Sequence, residues 1–192
     1  MKNLLIVFAF LTLAGCSPKP NANATDDGFG LLYSVTSQQQ NVDKLLWIKD
    51  PGADITAWIE QIAQFNQEVT KQLEAWKKAG KITSLKALGL PPAELEARER
   101  ATKRTTGDLL FSEDVSLRLS LVIAQLKALG YCSDLSYAIA AETQDKAIQE
   151  TATQWESKFK ELNAQGMTLL ETPQITSPEE SPAKVPSAPQ HR

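Results

Sequence analysis

Ile55, Trp58, Ile62, Phe65, Val69, Leu73 and Trp76 recur at steps of three and four between Pro51 and Ala79. That spacing lines one side of a 3.6-residue helix, so a long amphipathic helix is the element against which everything else must pack. Glu60, Gln61, Gln67, Glu68, Lys71, Lys77 and Lys78 take its other faces. Asp50 stands where a cap is wanted, Pro51 in the first turn, and Gly80 just past the end.

Other stretches carry the same period. A first helix is expected over 30–49 on Leu31, Val35, Val42, Leu45 and Trp47, with Gln38 and Gln39 intruding in its middle. Pro91-Pro92 opens a third over 93–104, where Glu94–Arg98, Glu96–Arg100 and Glu99–Lys103 are opposite charges four residues apart. With only Leu95, Ala97 and Ala101 as apolar content it reads as a solvent-facing extension, which Thr105-Thr106-Gly107 is expected to break. The fourth, over 113–129 and capped by Ser112, should bury Val115, Leu119, Val122, Leu126 and Leu129. Leu117, Leu121 and Ile123 widen its apolar surface, so it belongs at the centre, and Gly130 is expected to stop it. The last, 133–163, turns Leu135, Ala138, Ile139, Ile148, Ala152, Trp155, Phe159 and Leu162 inward, with Thr143-Gln144-Asp145 as a kink or split. No stretch alternates in the two-residue period of a strand. The expected fold is all-α, an up-down four-helix-type bundle over residues 29–170.

The two ends differ from this body. Met1-Lys2-Asn3 is a short basic start, and Leu4 to Leu13 is apolar except for Thr12. A run of about ten apolar residues cannot cross a hydrocarbon core of ~30 Å, so residues 1–15 read as a secretory signal. Leu13-Ala14-Gly15-Cys16 closes that run and resembles the lipobox of bacterial lipoproteins. The resemblance implies cleavage before Cys16, acylation of its thiol and of the new N-terminus, and stable anchoring by more than one acyl chain. Ser17, where lipoproteins of the inner membrane often carry Asp, implies the outer membrane, facing the periplasm. The alternative is an ordinary signal peptide with an incidental cysteine. Residues 16–28, rich in Pro, Asn and Asp, are expected to form a flexible lipidated tether. Residues 171–192 hold half of the chain's ten prolines and are expected to be a disordered Pro-rich tail of polyproline character.

The side-chain inventory narrows the chemistry. The only histidine is His191, so no folded site has imidazole as base, metal ligand or pH switch. Ser–His–Asp, Cys–His and Glu-x-x-His arrangements are thereby removed. With Cys16 carrying lipid, Cys132 has no intramolecular disulfide partner, and zinc lacks its ligands. Cys132 reads as a small core residue, with a reactive thiol or an intermolecular disulfide as the alternatives. There is no Gly-rich phosphate loop. Twenty Lys plus Arg against 23 Asp plus Glu, a net charge of −3, argue against a nucleic-acid partner. Glu60, Glu68, Glu113, Asp114, Glu142 and Asp145 can form carboxylate pairs, but capping and solvation account for most of them. No catalytic residue, no metal site and no cofactor beyond the lipid on Cys16 are expected.

Contact surfaces are the remaining candidates. Trp58, Trp76 and Trp155 fall on core stripes, while Trp47, beside Leu45, Leu46 and Ile48 near a helix end, is the tryptophan placed to meet a partner. Arg98, Arg100, Lys103 and Arg104 form a basic cluster suited to anionic lipid or protein, with Glu94, Glu96 and Glu99 cancelling much of its field. Asp50-Pro51-Gly52-Ala53-Asp54-Ile55, the helix after it and Gly89-Leu90-Pro91 are similar to a ferritin-like bundle family of bacterial envelope proteins, over residues 30–165. That family carries an acidic residue and a histidine midway along this helix, near Gln64-Phe65-Asn66, which supply neither. The expected function is a non-catalytic, lipid-anchored interaction or assembly module with a protein partner in the envelope. The alternatives are an inhibitor or immunity-type protective lipoprotein, or a ferritin-like metal-dependent envelope enzyme.

Overall fold

A computed structural model describes residues 22–86, 89–111 and 114–171. Five α-helices follow in order: α1 (Ala22–Gln39), α2 (Ala53–Lys78), α3 (Pro92–Phe111), α4 (Asp114–Glu142) and α5 (Lys146–Glu171). A 3-10 helix, Val42–Trp47, joins α1 to α2, and no strand occurs among the described residues. The expected all-α bundle is what forms.

Contacts between helices fix their directions. On α1 and α2 the Thr70 hydroxyl donates to Thr36 Oγ1 at 3.0 Å and Tyr33 donates to Glu74 at 2.9 Å, an antiparallel pairing. Phe29 meets Trp76 edge-on, and Trp76 lies 5.1 Å from Trp155 of α5. Trp58 Nε1–H donates to the Leu162 carbonyl at 2.9 Å, so α2 and α5 also run opposite ways. On α4 and α5, Asn163 Nδ2 donates to the Leu126 carbonyl at 2.8 Å and Gln149 Nε2 to the Ala140 carbonyl at 3.2 Å. Direction therefore alternates from helix to helix. The near end of the bundle gathers the start of α1, the end of α2 and the α4–α5 turn. The far end gathers the 3-10 helix, the starts of α2 and α4, and the ends of α3 and α5. Helices α1, α2, α4 and α5 enclose the core, built on Leu32, Ile59, Leu73, Leu121, Ile139 and Phe159. Helix α3 leans on α4 from outside, with most of its described side chains exposed, as its sparse apolar content predicts.

Boundaries shift where packing outweighs local propensity. Helix α1 begins at Ala22, inside the stretch expected as tether, and ends at Gln39 rather than Lys49. Phe29 and Leu32 draw it into the core, and Asp27 accepts the Gly89 N–H at 2.9 Å across the near end. Asp50 does not cap α2. Its carboxylate accepts the Gly52 N–H at 2.8 Å, Pro51 stays outside the helix, and Gly52, with φ 94°, turns the chain into α2. Gly80, with φ 71°, ends α2 as expected, where Lys81 N–H reaches the Trp76 carbonyl and Gly80 N–H that of Lys77.

Helix α3 does not break at Thr105-Thr106-Gly107 but continues to Phe111. Nor does Gly130 stop α4, because Leu129, Cys132 and Ser133 around it are all buried. The interruption falls at 143–145, so the single helix expected over 133–163 is the second half of α4 plus α5. Asp145 Oδ1 accepts the Ala147 and Ile148 N–H groups and caps α5. These bonds, the one to Ile148 foremost, hold its carboxyl below the ordinary range. On α4 the buried line runs through Leu117, Leu121, Gln125 and Leu129, whereas Leu119, expected inside, is 53% exposed. The proposed cap Ser112, the site Cys16 and the stretch 172–192 lie outside the described residues.

Candidate functional site

The expected contact residues do not form one patch. Trp47, at the end of the 3-10 helix, is 81% exposed, and Ile48 beside it is 68% exposed. The cations sit on α3. Arg98 is half-buried, its guanidinium 5.2 Å from the Tyr131 ring centroid and donating to the Tyr131 hydroxyl at 2.8 Å and to Glu94 at 2.7 Å. Burial opposes its charge, but Tyr131 and Glu94 outweigh that and raise its pKa. Arg98 therefore fastens α3 to α4. Arg100 pairs with Glu96 at 2.7 Å and Lys103 with Glu99 at 2.6 Å. Arg104 edges a shallow depression shared with Asp108, Phe111 and Ser120. With Glu94, Glu96 and Glu99 one turn back, Arg98, Arg100 and Lys103 project little field.

Exposed apolar side chains replace them as the notable surface. Large hydrophobic residues exposed among the described ones are Trp47, Ile48, Phe111, Leu119, Ile123, Met167 and Leu170, together with Leu95 and Tyr137. The first seven lie in the far half of the bundle. Phe111, ending α3, is 89% exposed. It was hidden in the sequence because α3 was expected to end before it. The helix continuing through Gly107 is what brings it to the far end.

The same end is braced electrostatically. Arg118 of α4 donates to the Pro51 carbonyl at 3.0 Å and to Asp54 Oδ1 at 2.8 Å, and pairs with Asp54 Oδ2. The bond from Arg118 is the main reason the Asp54 carboxyl is held down to about 2. The bridge ties the starts of α2 and α4 beneath the loop carrying Trp47 and Ile48.

Cys132 is buried and unpaired by any disulfide, and burial pushes its thiol up to about 12. That leaves almost no thiolate near neutral pH and makes it a core residue. Glu60, Glu68 and Glu142 are exposed, and Asp145 is used as a cap. Among the described residues no three or more His, Cys, Asp or Glu side chains are grouped to hold a metal ion. Asn66 is buried, and its amide donates to the Ile62 carbonyl at 2.8 Å. No described helix is long and apolar enough to cross a membrane.

No protein-family model, no curated protein and no solved structure matches this chain.

Proposed function

We propose that this chain is a lipid-anchored bacterial envelope protein, held at the outer membrane through Cys16 and facing the periplasm, whose bundle is a non-catalytic docking module for a protein partner. The supporting observation is the polarity of the molecule: Trp47, Ile48 and Phe111 are exposed at the far end, and Ala22, the first residue of α1, lies at the near end. The chain from Cys16 to Ala22 spans at most about 20 Å, while the 26 residues of α2 measure about 39 Å. A lipid on Cys16 thus keeps the near end by the bilayer and offers the aromatic far end to the compartment. Trp and Phe in such a position supply the large apolar area that hot spots of protein interfaces use.

Two variants test the two halves of this reading. Cys16→Ala is expected to move the protein from the membrane to the soluble fraction, and retention in membranes refutes the anchor. Trp47→Glu with Phe111→Glu should leave the circular dichroism spectrum unchanged and remove the cross-linked partner recovered from envelopes. Equal recovery of that partner refutes the docking surface.

A further inference from the structure

Glycine weakens a helix interior, yet Gly130 lies in the middle of α4, and nothing within the chain calls for it there. A Cβ at that position would meet only Asn163 Nδ2, at 3.9 Å. The surroundings of α4 show which way this bare position faces. Leu126 and Ala140 meet α5, while Ser120 and Tyr131 meet α3. By helical periodicity Leu119, Ile123, Gly130, Asp134, Tyr137 and Ala141 fall between those two lines, on the side away from the core, and Lys127 borders them. The result is a narrow, largely apolar strip along the middle of an outer layer made by α3, α4 and α5. Its large side chains are open to water, Leu119 at 53%, Ile123 at 38% and Tyr137 at 63%.

We propose that a second copy of this chain covers this strip, α4 packing antiparallel on α4 about a twofold axis at Gly130. The spacing of the strip is symmetric about that residue. Ile123 lies seven residues before Gly130 and Tyr137 seven after, and Leu119 and Ala141 lie eleven before and eleven after. The axis therefore sets Ile123 of each copy against Tyr137 of the other, and Leu119 against Ala141, with no side chain at the centre to hold the helices apart. Charge follows the same axis. Lys127 lies three residues before Gly130 and Asp134 four after, so the two meet across the copies within about 1.5 Å of level. Lys127 is exposed and has no carboxylate partner among the described residues. Asp134 faces Lys160 across the shallow groove between α4 and α5, but Lys160 also pairs with Glu156. Two carboxylates thus share one ammonium, and this half of the strip keeps a negative charge. The other half keeps the positive charge of Lys127, since Arg118 there is paired with Asp54. Antiparallel copies bring opposite halves together, whereas parallel copies set Lys127 on Lys127 and Asp134 on Asp134. Exposed charges of this kind select the arrangement, and apolar contact supplies most of the affinity.

The area suffices. From Leu119 to Ala141 the strip is about 33 Å long. With its flanks on α3 and α5 it is about 20 Å wide, neighbouring helices lying ~8–10 Å apart. Each copy then contributes about 650 Å² and the pair buries about 1,300 Å², within the ~1,200–2,000 Å² of specific interfaces. The inference goes beyond the docking role proposed above, uses a different face from the Trp47–Phe111 end and does not rest on the lipid. Upright, a single copy offers its far end to the compartment; paired, two antiparallel copies lie along a bilayer.

Isotope-mixed cross-linking of the full chain in mild non-ionic detergent tests the arrangement. Unlabelled and nitrogen-15-labelled chains are mixed, treated with a zero-length carbodiimide and read by peptide mass spectrometry. A Lys127–Asp134 link joining one light and one heavy peptide is expected, while the Lys160–Glu156 link within α5 stays unmixed and serves as the internal standard. Sedimentation equilibrium then measures pairing in variants. Lys127→Glu and Asp134→Lys should each raise the dissociation constant about tenfold or more. An equal mixture of those two variants should pair again, because each carries the charge the other has lost. Ile123→Glu, at an exposed position, should abolish pairing with helix content unchanged by circular dichroism. The standard link without any light–heavy Lys127–Asp134 link overturns the proposal, as does a wild-type chain that sediments as a monomer throughout. Charge variants that pair as the wild type does, or whose mixture does not pair again, overturn it too, since any contact between copies then uses another face.

Discussion

Gly166→Ala is a sharp test of how α5 meets α2 and α4. A Cβ at position 166 would lie 2.4 Å from Trp58 Cζ2, 2.8 Å from Leu126 Cδ2 and 2.9 Å from Trp58 Cη2. The indole cannot easily yield, because its N–H is held by the Leu162 carbonyl one turn away and Trp58 is buried among Ile55, Ile59 and Ile62. Overpacking of this kind costs about 1–3 kcal/mol. Displacing the indole from its bond adds about 1 kcal/mol, and the helix preference of Ala over Gly returns about 1 kcal/mol. The net expectation is about 2 kcal/mol of destabilisation, a fall of roughly 6 °C in Tm for a domain of this size. Gly130→Ala is the control: its Cβ would find only Asn163 Nδ2 at 3.9 Å, an ordinary contact. There the helix preference should prevail and raise stability by about 0.5–1 kcal/mol. Urea unfolding followed by circular dichroism and tryptophan fluorescence measures both. A cycle with Trp58→Phe, which removes the clashing six-membered ring, should recover about 1–2 kcal/mol as coupling. Equal stabilisation by both alanines, or no coupling to Trp58, refutes the close approach of α5 to Trp58.

Arg118→Ala should cost about 1 kcal/mol at pH 7, solvent screening at half-exposed Asp54 keeping it that small. Asp54 titrates lower in the folded chain than in the unfolded one, so this contribution is present above pH 4 and disappears between about pH 4 and about pH 2. The gap between wild type and variant should narrow in acid unfolding there, leaving the share of the Pro51 bond, and a gap unchanged at pH 2 is incompatible with the bridge. The Cys132 thiol should stay unlabelled by a disulfide reagent in folded protein at pH 8 and react fully in denaturant. Rapid native labelling contradicts its burial. Arg98→Ala removes the stack and bond to Tyr131 and should speed amide exchange in residues 93–105 severalfold while leaving α2 and α5 protected. Uniform loss of protection throughout would mean α3 is integral to the core.

Much of the architecture was legible along the chain. The α2 stripe from Ile55 to Trp76, the end at Gly80 and the inward face of α5 follow from periodicity and backbone chemistry, and each forms as the spacing requires. The misplaced boundaries share one cause. Gly107 and Gly130 were expected to end helices, yet glycine only weakens a helix by about 1 kcal/mol, and burial of Leu129, Cys132 and Ser133 outweighs that around Gly130. Leu119, expected inside, faces water because the α4 stripe, apolar on several faces, does not say which side meets α5. Of the contact residues, Trp47 could be read as exposed from its place near a helix end. The basic set on α3 could not be judged, since the loss of Arg98 to Tyr131 depends on a residue 33 positions away.

Local chemistry thus determined by itself that this chain makes amphipathic helices, has no histidine before His191, and has ends whose composition differs from its body. These properties depend on residue type and short spacing, which travel with the chain whatever it packs against. The tertiary structure alone decided which glycines lie inside helices, which leucines of α4 face water, and that Trp47 and Phe111 share an end of the bundle. Those outcomes turn on long-range burial and helix direction, whose energies exceed the differences in local preference that separate one helix boundary from the next.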